Sequence, residues 1–338
     1  MTLRLHVDGP RWRRHLRRVA DARAGLVPVA KGNGYGFTVA NLARRAAWLG
    51  SDLVAVGTYA EAVEVGRRFD GDILVLEPWR PFRAVTPSRR LVHTVSRPTD
   101  LADLTAAAED APRVVLEGLT SMRRHGMPVG ELRAALGASR GVRVEGVALH
   151  LPLGDGHVDE IDAWIDQVPH DRWFVSHATE SELAALRARR PEVSIRPRVG
   201  TDLWLGDRGA LAARAVVTDV HPVERGDRVG YRQRRVRGSG HLLVVSGGTA
   251  HGIGLEAPTP AATTRQRAVS LAKGGLDATG RALSPFVVAG KQRWFVEPPH
   301  MQISMVFLPA GTPPPAIGDE VDVRVRFTTT LFDEVLIS

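Results

Sequence analysis

Residues 28–36 read Pro-Val-Ala-Lys-Gly-Asn-Gly-Tyr-Gly. Lys31 closes an apolar run and is followed at once by a glycine-rich turn that carries Tyr35. The run over 26–30 has the composition of a strand, so Lys31 is expected at that strand's C-terminal end. Glycines at 32, 34 and 36 admit backbone torsions that other residues resist and let the main chain come close to a ligand. A lysine amine at the mouth of a parallel strand is placed to form a Schiff base with a carbonyl cofactor. The plain alternative is a solvated loop lysine in front of a Gly/Asn turn.

A scaffold has to hold that amine in place. Short apolar, β-branched runs recur at 26–31, 53–57, 73–77, 91–95, 113–117, 145–150, 173–177 and 194–198. Between most of them lie segments with helical spacing of apolar residues, at 40–49, 60–67, 98–107, 129–136, 159–168 and 180–189. Eight strands separated by helix-length segments fit a (β/α)8 TIM-like barrel better than an open doubly wound sheet, although strand order is not readable from sequence. After Gly206 the helical spacing largely stops. Runs at 215–223, 241–246, 286–289, 293–297, 302–308 and 321–328 alternate like antiparallel strands, with one helical stretch at 264–273 and a Pro-rich loop at 311–317. We therefore expect a barrel over residues 1–205 and a mostly β domain over 206–338.

Bulk properties limit the function classes. The chain has 338 residues, 43% hydrophobic and 24% charged, with a net charge of +8 and no cysteine. Disulfides and thiolate metal sites are excluded, and no metal centre is expected. No apolar stretch is long enough for a membrane span, and the N-terminal residues lack the order of a signal peptide, so a cytoplasmic location is expected. The positive charge is mostly arginine spread along the chain, without interleaved aromatics or zinc-finger spacing. That distribution speaks against nucleic acid and suits anionic small molecules such as phosphate esters.

A barrel with its lysine after the first strand, followed by a β-rich domain, resembles the alanine racemase family of fold-type III pyridoxal-phosphate (PLP) proteins. The family's Val-Val-Lys-Ala-Asn-Ala-Tyr-Gly-His-Gly motif is similar to residues 29–37. Residues 117–126, Glu-Gly-Leu-Thr-Ser-Met-Arg-Arg-His-Gly, resemble Lys-x-Asp-Thr-Gly-Met-x-Arg-x-Gly. The resemblance puts Arg124 on the substrate-side arginine. It puts Glu117 on a lysine that many members carbamylate, where a glutamate supplies a similar charge directly. Residues 144–150 resemble Leu-Glu-Gly-x-x-Thr-His, which places His150 against the pyridine ring. Residues 176–181 resemble His-x-x-Asn-Ser, which places Ser181 at the phosphate. Residues 196–206 resemble Val-Arg-x-Gly-x-x-x-Tyr-Gly, so Arg198 falls on the arginine that hydrogen-bonds the ring nitrogen. Gly200, Thr201 and Tyr35 would complete the phosphate contacts. The plainer readings are surface or ion-pair arginines, a core histidine and a helix cap.

The pattern changes in the second domain. The family's Gly-Tyr-Ala-Asp-Gly turn, which carries a catalytic tyrosine, is Gly248-Thr249-Ala250-His251-Gly252 here. A threonine is too weakly acidic to serve as the second base, whereas histidine titrates in the useful range. The family's Cys-Met-Asp-Gln corresponds to His300-Met301-Gln302-Ile303, with Met301 on the side of the substrate carboxylate. Tyr231 matches a family strand position and reads as structural.

Three functions follow from this resemblance. The first is an amino-acid racemase or epimerase, a PLP-dependent isomerase with Lys31 as one base and His251 or His300 as the other. The second is a different PLP reaction on the same scaffold, such as decarboxylation, aldol cleavage or elimination. The third is a non-catalytic PLP-binding protein in which racemase activity has been lost. The resemblance also implies a homodimer with shared active sites, acting on an amino acid.

Overall fold

The alternation of apolar runs and amphipathic segments folds as successive strand–helix units. The computed structural model describes residues 2–83, 85, 88–108, 110–255 and 282–338. The expected helix at 264–273 lies outside the described residues. The chain opens with β1 (Leu3–Val7) and α1 (Gly9–Ala22), then β2 (Val27–Pro28), α2 (Val39–Trp48), β3 (Leu53–Val56), α3 (Tyr59–Gly66), β4 (Asp72–Pro78) and β5 (Leu91–Val95). It continues with α4 (Pro98–Ala107), β6 (Arg113–Gly118), α5 (Val129–Gly137), β7 (Arg143–Leu149), α6 (Val158–Gln167), β8 (Arg172–Ser176), α7 (Glu180–Arg189), β9 (Ser194–Val199) and α8 (Thr201–Leu205).

Strands β2 to β9 form one parallel sheet in the order β2-β9-β8-β7-β6-β5-β4-β3. A parallel bridge between Val29 and Ala55 joins its two ends, and the Ala30 N–H donates to the Ala55 carbonyl at 2.8 Å. The result is the expected eight-stranded barrel with helices between its strands. Its interior is filled by Val27, Val29, Leu53, Ala55, Leu74, Val92, Val115, Ala148 and Phe174. Residues from seven of the eight strands meet there, so the barrel is a packed core and not a pore.

The strands' N-terminal ends carry a closed set of ion pairs. Arg113 holds Asp72 at 2.6 Å and Glu145 at 2.7 Å. Glu145, itself buried, is also reached by Arg143 at 2.9 Å and Arg172 at 3.4 Å. Arg196 pairs with Asp52 at 2.5 Å. The helices start on local signals. Thr58 and Glu61 make a capping box at α3, and Thr179 and Glu182 make another at α7.

The remaining strands are β10 (Leu211–Val223), β11 (Arg228–Val229), β12 (Arg234–Arg235), β13 (Gly240–Ser246), β14 (Leu283–Val288), β15 (Lys291–Phe295), β16 (Ile303–Pro309), β17 (Glu320–Val323) and β18 (Glu334–Ile337). Strands β11 and β12 pair as a separate two-stranded sheet; the others, with β1, form a mostly antiparallel sheet in the order β13-β16-β15-β14-β17-β10-β1-β18, and β13 also pairs with β10. Six strands thus close on themselves around Val217, Leu243, Val245, Phe286, Val306 and Leu308. The strand expected over 321–328 ends at Val323. Local bonds from Thr329 and Thr330 N–H to the Arg326 carbonyl replace the ladder with a turn.

By contacts, residues 13–207 make one compact unit, and residues 1–12 with 208–338 make the other. The first strand was not read from the sequence. It belongs to the second unit because β1 pairs antiparallel with β10 and parallel with β18. Among the described residues, no helix is long and apolar enough to cross a membrane.

Candidate active site

Lys31 follows directly on the segment that closes the barrel, at the C-terminal end of β2. The loop after it is sharply bent. Tyr35 has φ 55° and Thr38 φ 70°, values that L-residues avoid, and a Cβ on Gly34 would strike the Val39 amide. Such strain persists only where the surroundings fix it, and it collects at functional sites. Glu61 does much of the fixing. One carboxylate oxygen accepts the Gly32 N–H at 2.7 Å, and the other accepts the Gly57 and Thr58 N–H groups at 2.6 and 3.1 Å. A single side chain therefore ties the lysine loop to the end of β3 and the start of α3.

The Lys31 ammonium is held below its ordinary pKa. Lys31 is exposed, yet partial desolvation at the strand ends is the first cause of the lowering; Arg124 and Arg198 add to it, and Glu61 opposes them. Arg198, on β9, is buried. One of its terminal nitrogens donates to the Leu149 carbonyl at 2.9 Å, while its buried Nε has no partner. Burial brings its pKa down to about 10, against the pull of Glu117, so it stays cationic at neutral pH. Glu117, on β6, is also buried, and its Oε2 has no partner. Burial raises its pKa, while Arg198, Arg124 and Arg80 draw it back.

His150 follows β7. Its Nδ1 is 2.8 Å from the Ser176 hydroxyl, whose oxygen also accepts the Leu151 N–H at 3.2 Å. The hydroxyl proton is then free to donate to Nδ1, which favours the tautomer with hydrogen on Nε2. Burial, followed by Arg198 and Arg124, pushes the His150 pKa down to about 3, so the ring is neutral at physiological pH. The His177 ring meets it edge-on at 5.3 Å, from a residue at φ 62°.

Tyr35 is buried, and desolvation raises its phenol to about 12, so it remains a hydrogen-bond donor. Its hydroxyl lies against Gly200, where any Cβ would collide with it. Thr201 begins α8 and is exposed. Ser181 lies in the first turn of α7, exposed, 3.1 Å from the Thr179 hydroxyl that caps the helix. Arg124 and Arg198 are thus close enough to lower the basicity of both Lys31 and His150. Glu61, Ser176 and His177 were not singled out from the sequence. Thr58-x-x-Glu61 was readable as a capping signature, and Ser176-His177 as the residues that end a barrel strand.

In the second unit, His251 is buried and both of its nitrogens are engaged. Nδ1 accepts the Gly248 N–H at 3.2 Å, and Nε2 lies 3.2 Å from each Asp333 oxygen. His300 is only partly buried, with Nε2 2.6 Å from Glu297. Met301 is 73% exposed, and its carbonyl accepts the Ala250 N–H at 2.9 Å.

Comparisons with known proteins identify the family and the fold. The family model "Alanine racemase, N-terminal domain" matches residues 10–188. No curated protein sequence gives a match. Among solved structures, the chain is similar to alanine racemase from Bartonella henselae with covalently bound pyridoxal phosphate (TM-score 0.72, 15% identity, 100% of both chains). It is also similar to the biosynthetic alanine racemase from Pseudomonas aeruginosa (TM-score 0.64, 21% identity, 96% of this chain and 91% of that one). The alanine racemase from Oenococcus oeni gives a TM-score of 0.67 at 19% identity, over 95% of this chain and 88% of that one. Those identities establish a shared fold, and the family model, which spans more than half of the sequence, establishes the lineage: the chain belongs to the alanine racemase family.

Proposed function

We propose that the protein is a PLP-dependent isomerase that racemises or epimerises an amino acid. One observation carries the reading. A lysine of lowered basicity and a buried arginine whose Nε lacks an acceptor sit at the open end of one barrel. The unpartnered Arg198 Nε–H fits a pyridine nitrogen, which accepts and does not need to donate. The missing side chain at Gly200 lets the Tyr35 hydroxyl pack against the backbone there, which would set a phenolic donor beside the start of α8, where the phosphate would bind.

When bound, pyridoxal phosphate supplies a carbonyl for amines and a conjugated ring that spreads carbanion charge. Lys31 would hold it. Tyr35, Ser181, Gly200 and Thr201 would bind the phosphate, and neutral His150 would be the ring's neighbour. Arg198 stays charged at neutral pH, so with the cofactor bound it would donate to the ring nitrogen and keep it unprotonated. That makes the ring a moderate electron sink and favours return of the proton over other carbanion fates. Arg124 would orient the substrate carboxylate. The depressed pKa of Lys31 leaves more of its amine neutral, as a base at the α-carbon requires. Inversion needs a second proton donor on the opposite face. His300 suits that role better than His251, because both His251 nitrogens are committed within its own unit. The reading includes a cytoplasmic homodimer with shared sites.

The test uses the purified chain with added PLP. A visible band lost on borohydride reduction, with the label on Lys31, followed by deuterium exchange and inversion on a panel of amino acids, would support the proposal. Exchange without inversion would favour other chemistry on the scaffold. A label scattered over surface lysines would remove the cofactor altogether.

A further inference from the structure

The loop after β15 holds a carboxylate–histidine pair. Glu297 is 3% exposed. Its Oε1 lies 2.6 Å from His300 Nε2, and its oxygens accept the Tyr231 and Arg232 N–H groups at 3.2 and 3.5 Å. Gly230, at φ +74°, is pressed against the same carboxylate, so a Cβ there would collide with it. The Tyr231 ring lies over the His300 ring, with centroids 4.5 Å apart and planes 35° apart. Tyr231 is 85% exposed and sits in a turn between β11 and β12, which differs from the structural position read from the sequence. The backbone holds the same residue. The His300 N–H donates to Ile303, and the His300 carbonyl accepts from Thr249, at 2.9 and 2.8 Å.

Burying a carboxylate is costly, and here that cost is met with an imidazole and two backbone donors. A merely soluble surface histidine needs none of this. A carboxylate that accepts the proton on one ring nitrogen fixes the tautomer and offsets the charge the ring gains on protonation.

We propose that Glu297 is the positioning residue for His300: it takes the Nε2–H and leaves Nδ1 as the atom that exchanges a proton with substrate, while Tyr231 holds the ring plane. This rests on the reading of His300 as the second base. In one direction Nδ1 accepts the α-proton and the ring becomes an imidazolium beside the Glu297 carboxylate. In the other direction Nδ1 returns the proton and the ring becomes neutral.

The first test is 15N NMR on the full chain with labelled histidine, using H300N to assign the resonance. His300 is expected as the Nε2–H tautomer in the wild type and as a tautomer mixture in E297L. In PLP-loaded protein, E297Q keeps an acceptor but removes the charge. It should lower inversion ~10-fold or more, with a smaller loss of one-face deuterium exchange, and E297D should recover part of it. A Nδ1–H tautomer in the wild type, or equal loss of inversion and exchange in E297Q, would overturn the proposal. If E297L does not fold, Y231A provides a second variant that should loosen the ring and lower inversion; wild-type inversion in Y231A would count against the clamp. The NMR arm needs no cofactor. Failure to bind PLP would therefore end the racemase reading, while a wrong tautomer would end the pair.

Discussion

The two ends of the barrel treat charge in opposite ways. At the strands' N-terminal ends the arginines are spent on acceptors: Arg113 bridges Asp72 and Glu145, Arg196 holds Asp52, and Arg90 donates to the Phe69 and Gly66 carbonyls. At the C-terminal ends, Arg198 and Glu117 are as deeply buried, yet each keeps a polar atom without a partner. Lys31 and Arg124 add positive charge there, which lowers the basicity of Lys31 and keeps His150 neutral. The same residue types thus stabilise one end and stay available at the other. Unspent hydrogen-bonding capacity marks the working end more clearly than the presence of charge does.

Substitutions can break that comparison. The largest effect is expected from K31A, which should remove the borohydride-trapped label and lower α-proton exchange on the order of 10³-fold, with little change in thermal stability. In the opposite sense, R113A should cost roughly 1–3 kcal/mol in denaturant unfolding by removing its bonds to Asp72 and Glu145, while PLP titration stays as in the wild type. Parallel losses of stability and PLP affinity in both variants would erase the distinction between the ends. G200A puts a Cβ into the Tyr35 hydroxyl and should cost about 1–3 kcal/mol, with part of the loss recovered in the G200A/Y35F pair.

The second unit sharpens the same contrast. H251A removes bonds to Gly248 and Asp333 and should destabilise by about 1–3 kcal/mol; H300A takes a donor from the buried Glu297 carboxylate and should destabilise by a similar amount, but only H300A should also impair inversion.

The smallest effect is a pH slope. His150 has a folded pKa of about 3 against 6.5 when unfolded. Between those values the unfolded chain binds the proton and the folded chain does not. The stability this group contributes is therefore complete above pH 6.5 and is lost as pH falls toward 3. Unfolding midpoints measured from pH 7 to 4 should fall less steeply in H150Q than in the wild type.

Much of the barrel was legible because a strand buried on both faces reads as an unbroken apolar run. Runs such as 53–57 and 113–117 matched strands within a residue or two. Strand β1 was not legible, because nothing within Leu3–Val7 announces partners some 200 and 330 residues away. At the site, Lys31, His150 and Arg198 stood at strand ends with suggestive neighbours. Their unsatisfied atoms were not visible, since an unpaired Nε depends on what surrounds it in space. The Glu297–His300 pair escaped for another reason. Its spacing of three residues carries meaning on a helix, and here it lies in a loop where periodicity predicts nothing.

The placement of β1 has a consequence for synthesis and for dissection of the protein. Its register partners run from Leu211 to Ala215 on one side and from Glu334 to Ile337 on the other. Strand β1 must therefore wait for segments made more than 200 and more than 300 residues later before it finds its sheet. A fragment beginning at residue 208 would present two bare strand edges, β10 and β18, to any neighbouring chain. An excised second unit would be expected to aggregate unless residues 1–12 were supplied, either as a peptide or through a linker that makes the N-terminal strand continuous with the C-terminal one.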